Sequence, residues 1–180
     1  MHDFRFRAAL AGAVSLLALH ACGNANSASE ASLGSQTQPV QIQVPPAGQL
    51  STDVTPLAYR LELKTDPDAD SFSGNVAIDV ALTAPHARIW LHSVDQTVLS
   101  TKAVLDDGTH IPATFTGNQA PGGVSRLDFD SPIPAGTATL EISYTAPYNM
   151  GLAGLYKAVQ SDTDYLATQM EAIDARRMVP

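Results

Sequence analysis

Residues 72–82 read FSGNVAIDVAL. Phe72, Val76, Ile78, Val80 and Leu82 sit at even spacing, with Ser73, Asn75, Ala77, Asp79 and Ala81 between them. A period of two puts the first set on one face of a pleated strand and the second on the other. A helix would need an apolar period of about 3.6 residues instead. The stretch is therefore a strand with one apolar face, and most of the chain around it repeats the pattern.

Upstream, Leu57, Tyr59, Leu61 and Leu63 alternate in the same way. Downstream, Arg88 to His92 holds a short apolar run with Trp90. Val98 to Leu105 leads into Asp106-Asp107-Gly108, a turn signal, and then Ile111, Ala113 and Phe115. Gly117 to Gly123 reads as a loop, Leu127 and Phe129 alternate, and Pro132-Ile133-Pro134-Ala135-Gly136 reads as a turn. Ala138, Leu140, Ile142 and Tyr144 alternate again, and Tyr165 to Met170 forms a last short strand. Only the residues from Glu171 onward show any helical periodicity. Short strands at this spacing predict an all-β domain over residues 50–180, a layered antiparallel sheet or β-sandwich.

The composition suits a globular chain: 180 residues, 44% hydrophobic and 16% charged. The formal net charge is -8, with 10 Lys+Arg against 18 Asp+Glu, so phosphate backbones are repelled and nucleic acid is excluded as a partner. The one cysteine, Cys22, has no partner for an internal disulfide. Arg5 and Arg7 precede an apolar run from Ala8 to Leu19, which is shorter than the about 18 residues a bilayer span requires. Leu19-His20-Ala21-Cys22 then resembles a bacterial lipobox. The expected organisation is a lipoprotein signal peptide over residues 1–21, then a lipidated Cys22 and flexible linker over residues 22–49. Removing the signal takes away Arg5, Arg7 and Asp3 and moves the charge from -8 to -9. Gly23 after the cysteine, rather than Asp, resembles lipoproteins sorted to the outer membrane, so the expected location is the cell envelope of a Gram-negative bacterium. The linker is rich in Ser, Ala, Gln and Pro and too poor in apolar residues to offset its ordering entropy. Val40, Ile42 and Val44 could add a strand that Pro45-Pro46 ends.

Several chemistries fail on the residues themselves. Asp66, Asp68 and Asp70 mimic the start of a calcium loop, but the sixth position is Ser71 rather than Gly and the twelfth is Ala77 rather than Glu. A solvated turn is the better reading. His86, His92 and His110 lack metal-ligand spacing. No Gly-x-Ser-x-Gly elbow and no phosphate loop occurs.

Residues 165–180 read YLATQMEAIDARRMVP. The run of Thr168, Gln169 and Glu171, followed by Asp174, Ala175 and Arg176, resembles the zinc aminopeptidase family that includes aminopeptidase N. There T-Q-F-E, then D-A-R, leads through a hydrophobic-Pro step. Met170 replaces the Phe, and Pro180 falls at the proline. TPLAYRLELK with Pro56 and Tyr59, FSGNVAIDV with Phe72 and Gly74, IWLHS around Leu91-His92, LEISYTA over 140–146 and GLAGLYKA over 151–158 fall in that family's order. The resemblance spans about residues 50 to 180. It implies a metallopeptidase that removes N-terminal residues from peptides, with this chain as its N-terminal β-domain. The catalytic signatures Gly-Ala-Met-Glu-Asn and His-Glu-x-x-His are absent. The resemblance therefore implies a truncated domain, inactive alone, with zinc bound by residues beyond Pro180.

It also implies a role for two residues. Read as a strand, Gln169 and Glu171 are two apart and face the same side. Spacing alone favours two ordinary polar edge residues; the resemblance assigns them to the free α-ammonium of a peptide substrate. An ammonium offers three donors and a positive charge, which Glu171 and the Gln169 amide oxygen can meet. An internal peptide bond offers neither, and would leave a partly buried carboxylate unpaired. Asp174 and Arg176 read as local scaffold. Two other readings stand beside the enzyme: a non-enzymatic surface lipoprotein that binds through a β-sandwich, and an aminopeptidase-like scaffold with a degenerate site.

Overall fold

The computed structural model describes residues 44–180 with the exception of Asp162. The signal peptide over 1–21, Cys22, the linker up to residue 43 and the Val40 and Ile42 positions lie outside the described residues. Val44 is described; it is exposed and belongs to no strand.

Nine strands form among the described residues: β1 (Val54–Lys64), β2 (Ser71–Leu82), β3 (His86–His92), β4 (Thr97–Leu105), β5 (His110–Ala120), β6 (Val124–Ile133), β7 (Gly136–Pro147), β8 (Gly154–Gln160) and β9 (Thr163–Gln169). Seven of them make one sheet in the order β1-β2-β7-β4-β5-β6-β3, antiparallel at every pairing; β8 and β9 make a separate hairpin. The all-β antiparallel expectation holds. Its layered character comes from curl. Ile78 and Val80 of β2 and Ile89 and Leu91 of β3 line one concavity, although those strands are second and last in the sheet.

The alternating residues explain the core. Across β2 and β7, Val76 lies opposite Ile142 and Ile78 opposite Leu140, so their apolar faces form one surface. Leu127, Ile133, Ile89 and Ala103 join the same buried cluster from the other strands. The outward face is polar and laced by side chains. Asp79 accepts hydrogen bonds from Arg60 (2.8 Å) and Thr139 (2.8 Å), and Lys102 pairs with Glu141 at 3.2 Å.

One glycine is required by packing. Gly74 lies opposite Tyr144, and a Cβ there would stand 2.4 Å from the Tyr144 ring. The ring instead fills that space, edge-on to Phe72 with centroids 6.4 Å apart. Its hydroxyl donates to the Met178 carbonyl at 2.6 Å, and burial pushes its pKa up to about 12.

Five boundaries differ from the pattern in the sequence. The last strand runs Thr163–Gln169 rather than Tyr165 to Met170. Gly117 to Ala120 continue β5, so only residues 121–123 turn. Pro132 and Ile133 remain in β6, where Ile133 pairs with His86; the proline was a poor stop signal because it sits beside a register shift in the pairing. The GLYKA segment, which resembles a G-[FL]-Y-[RK] turn of the aminopeptidase family, is strand β8 instead. The residues after Glu171 hold only a short 3-10 turn, Asp174–Arg177. The Asp66–Asp70 segment is a turn closed by Ala69 N–H to Asp66 O (3.1 Å) and Asp68 N–H to Asp66 Oδ1 (3.0 Å).

Candidate functional site

The β8–β9 hairpin carries the Gln-x-Glu segment. Its register pairs Gly154 with Gln169 and Leu155 with Thr168, which puts Gln169 at the last position of the hairpin. Glu171 lies past the strand end, in the turn over residues 171–173. The same-face argument therefore does not apply: strand alternation stops at Gln169, and a turn sets the direction of Glu171. A local bond still joins the two, since the Gln169 amide oxygen accepts from the Glu171 backbone N–H at 3.4 Å. A carbonyl oxygen has two lone pairs, so the Gln169 oxygen keeps capacity for another donor. Both side chains are exposed in this chain. The expected partial burial of the Glu171 carboxylate is not provided by the described residues.

The turn is fixed at its far end. Asp174 N–H donates to Met170 O at 3.0 Å, closing residues 170–174. The Arg176 carbonyl accepts from Val94 N–H (2.9 Å) and from the Gln96 amide (3.3 Å), and its guanidinium bonds the Gly122 carbonyl. Gly122 has φ +89, a conformation glycine adopts without strain. Arg177 pairs with Asp174 at 3.0 Å and with Asp95 at 3.0 Å. Asp174 and Arg176 thus take scaffold positions. Sequence reading missed Arg177, Asp95 and Gly154. The Asp174/Arg177 spacing of three was a usable signal for a helical-turn pair; nothing in sequence links either to Asp95, about 80 residues earlier.

The large concavity, about 870 Å³, is elsewhere. It is lined mainly by apolar side chains of β1, β2, β3 and β7, by Ile173 of the turn, and by Ala175 and Val179 after it; Gln169 and Glu171 do not line it. His86 and His92 do, with His86 Nε2 and His92 Nδ1 buried and unpartnered, while His110 stands apart at the start of β5. Among the described residues no three His, Cys, Asp or Glu side chains converge to hold a metal ion. The residues present do not fit a zinc site.

A curled antiparallel sheet with an appended hairpin that runs into a Gln-x-Glu turn makes up the described β-domain. The family described as the peptidase M1 N-terminal domain matches residues 55–180. The chain belongs to this family. An aminopeptidase N from Acetobacter pasteurianus is 33% identical over 139 residues, 74% of this chain and 38% of that protein. Aminopeptidase 2 of Candida albicans is 34% identical over 136 residues, 73% of this chain and 14% of that protein. Aminopeptidase M1-B of Oryza sativa subsp. japonica is 28% identical over 130 residues, 70% of this chain and 14% of that protein. The chain thus spans 38% or less of the length of these relatives.

Proposed function

We propose that this domain serves a zinc-dependent aminopeptidase by recognising the α-ammonium of peptide substrates through Gln169 and Glu171. The observation that carries the reading is the placement of both residues at the exposed end of a hairpin whose following turn is tied to the main sheet. The aminopeptidase relatives support the reaction class. Zinc and the hydrolytic step are taken to be supplied by residues beyond Pro180, as the likeness to aminopeptidases implies. What this chain contributes is an anionic oxygen at Glu171 and a neutral acceptor at Gln169, which together select a charged free terminus over a blocked one.

In the intact enzyme, Glu171→Ala is expected to lower kcat/KM on free-amine peptides. A pair desolvated by the rest of the enzyme predicts a loss of about 2–5 kcal/mol in transition-state binding. A pair left open to water predicts under about 1 kcal/mol. The loss on N-acetylated peptides should be much smaller. Equal proportional losses for both substrates would remove the ammonium role. Gln169→Ala should lose about 1 kcal/mol, or up to about 3 if the bond is charge-assisted.

The same reading places the protein in the cell envelope, held by acyl chains on Cys22, since two or three chains give stable anchoring where one does not. Labelled palmitate should enter the parent and not Cys22→Ala; label in both excludes the lipid anchor.

A further inference from the structure

Arg177 touches three segments around the Gln169–Glu171 end of the hairpin: Asp174, Asp95 and Gly154. Its Nε bonds Asp174 Oδ1 at 3.0 Å, within the segment that closes the turn. Its Nη1 bonds Asp95 Oδ2 at 3.0 Å, in the β3–β4 loop of the main sheet. Its aliphatic stem lies on Gly154, where an added Cβ would be 2.7 Å from Arg177 Cβ. Gly154 is the residue paired with Gln169. It has φ +65, a left-handed conformation that glycine adopts without strain. Asp95 itself has φ 62, which Asp tolerates better than most residues.

We infer that Arg177 is a positioning residue that sets the Gln169–Glu171 turn relative to the main sheet. This rests on the proposed ammonium-recognition role of those two residues. The chemistry favours arginine. Its planar fork presents Nε and Nη1 in fixed directions, so one side chain can bridge two carboxylates at defined geometry. A lysine is a point charge on a flexible stem and holds one carboxylate at a time. The pairs are partly open to solvent, with side-chain exposures of 34% for Arg177 and 63% for Asp95. Exposed pairs add little to stability, so the role of this one lies in placement. Displacement of a substrate-holding group by about 1 Å lowers rate by up to about 100-fold even when the change is remote from the chemistry.

The test combines two readouts. In the intact enzyme, Arg177→Ala should lower kcat/KM on a free-amine peptide by about 10- to 100-fold, mainly through KM, and in a Glu171→Ala background should cost much less, no more than the share that Gln169 carries. Arg177→Lys should recover only part of the loss. In the 180-residue chain, amide hydrogen exchange over residues 169–173 should speed up in Arg177→Ala while the core strands keep their protection. If Arg177→Ala does not fold, Asp95→Asn, at an exposed position, should give the same pattern at smaller size. An equal loss in both backgrounds, or unchanged exchange over 169–173, overturns the inference. If Glu171→Ala affects free and acetylated substrates alike, the ammonium reading falls, and the exchange measurement still decides whether Arg177 holds the turn.

Discussion

Strands β1 and β2 are neighbours with the same alternation, and they meet different fates. Tyr59 lies directly opposite Ile78, and Leu61 opposite Val76. Ile78 and Val76 are 4% and 2% exposed, whereas Tyr59 and Leu61 are 54% and 39% exposed. Cross-strand partners share a face, so all four side chains point to the same side of the sheet. The difference lies in what stands above them. The curl of the sheet brings other strands close over β2, whereas β1, at one edge, receives less cover: Tyr59 lines the wall of the open concavity, and only Val54 and Leu63 of that strand pack against the core. Alternation therefore identifies a strand and its apolar face, and it leaves open which part of that face another layer reaches.

That contrast can be broken by substitution at the paired positions. Ile78→Ala leaves a cavity in a packed surface and should destabilise by about 2–5 kcal/mol in chemical denaturation. Tyr59→Ala, one strand away, should change stability by no more than about 0.5 kcal/mol, as surface substitutions do. A Tyr59→Ala loss as large as that of Ile78→Ala means that β1 is covered in solution. The opposite faces of the same two strands sharpen the comparison at a smaller scale. Arg60 and Thr139 hold the Asp79 carboxyl well below its ordinary range, at about 2. A depressed folded pKa adds stability that is present above the unfolded value of about 4 and is lost as pH falls through about 2. Asp79→Asn should therefore lower Tm slightly at neutral pH, and the gap to the parent should close as pH falls from about 4 toward 2. A gap that is constant over that range assigns the effect to shape rather than charge. The size should be small, because the ion pair is open to water.

The fold was largely legible because period two is a local signal. Eight of the nine strands read directly from residues such as Phe72 to Leu82 and Ala138 to Tyr144. The extension of β5 through Gly117 to Ala120 was not legible, since glycine and polar residues carry no alternation and the pairing with β6 shifts register between Thr116 and Ala120. Strand β8 was hidden by the glycines at its start, which signal a turn that in fact precedes the strand. The site was legible only in part. Gln169 and Glu171 stand out by resemblance, but their separation by a strand end depends on where the hairpin pairing stops. The contacts of Arg177 with Asp95 and of Tyr144 with Met178 join residues far apart in sequence, and no local pattern encodes them.

The ring of Tyr144 occupies the volume that a side chain at position 74 would need, while its hydroxyl reaches the main chain at Met178. The two positions are therefore coupled by volume. A methyl group at 74 requires a smaller or redirected side chain at 144, and that change releases the Met178 carbonyl. The packing of β2 against β7 thus governs how the segment that follows the Asp174–Arg177 turn is held to the sheet.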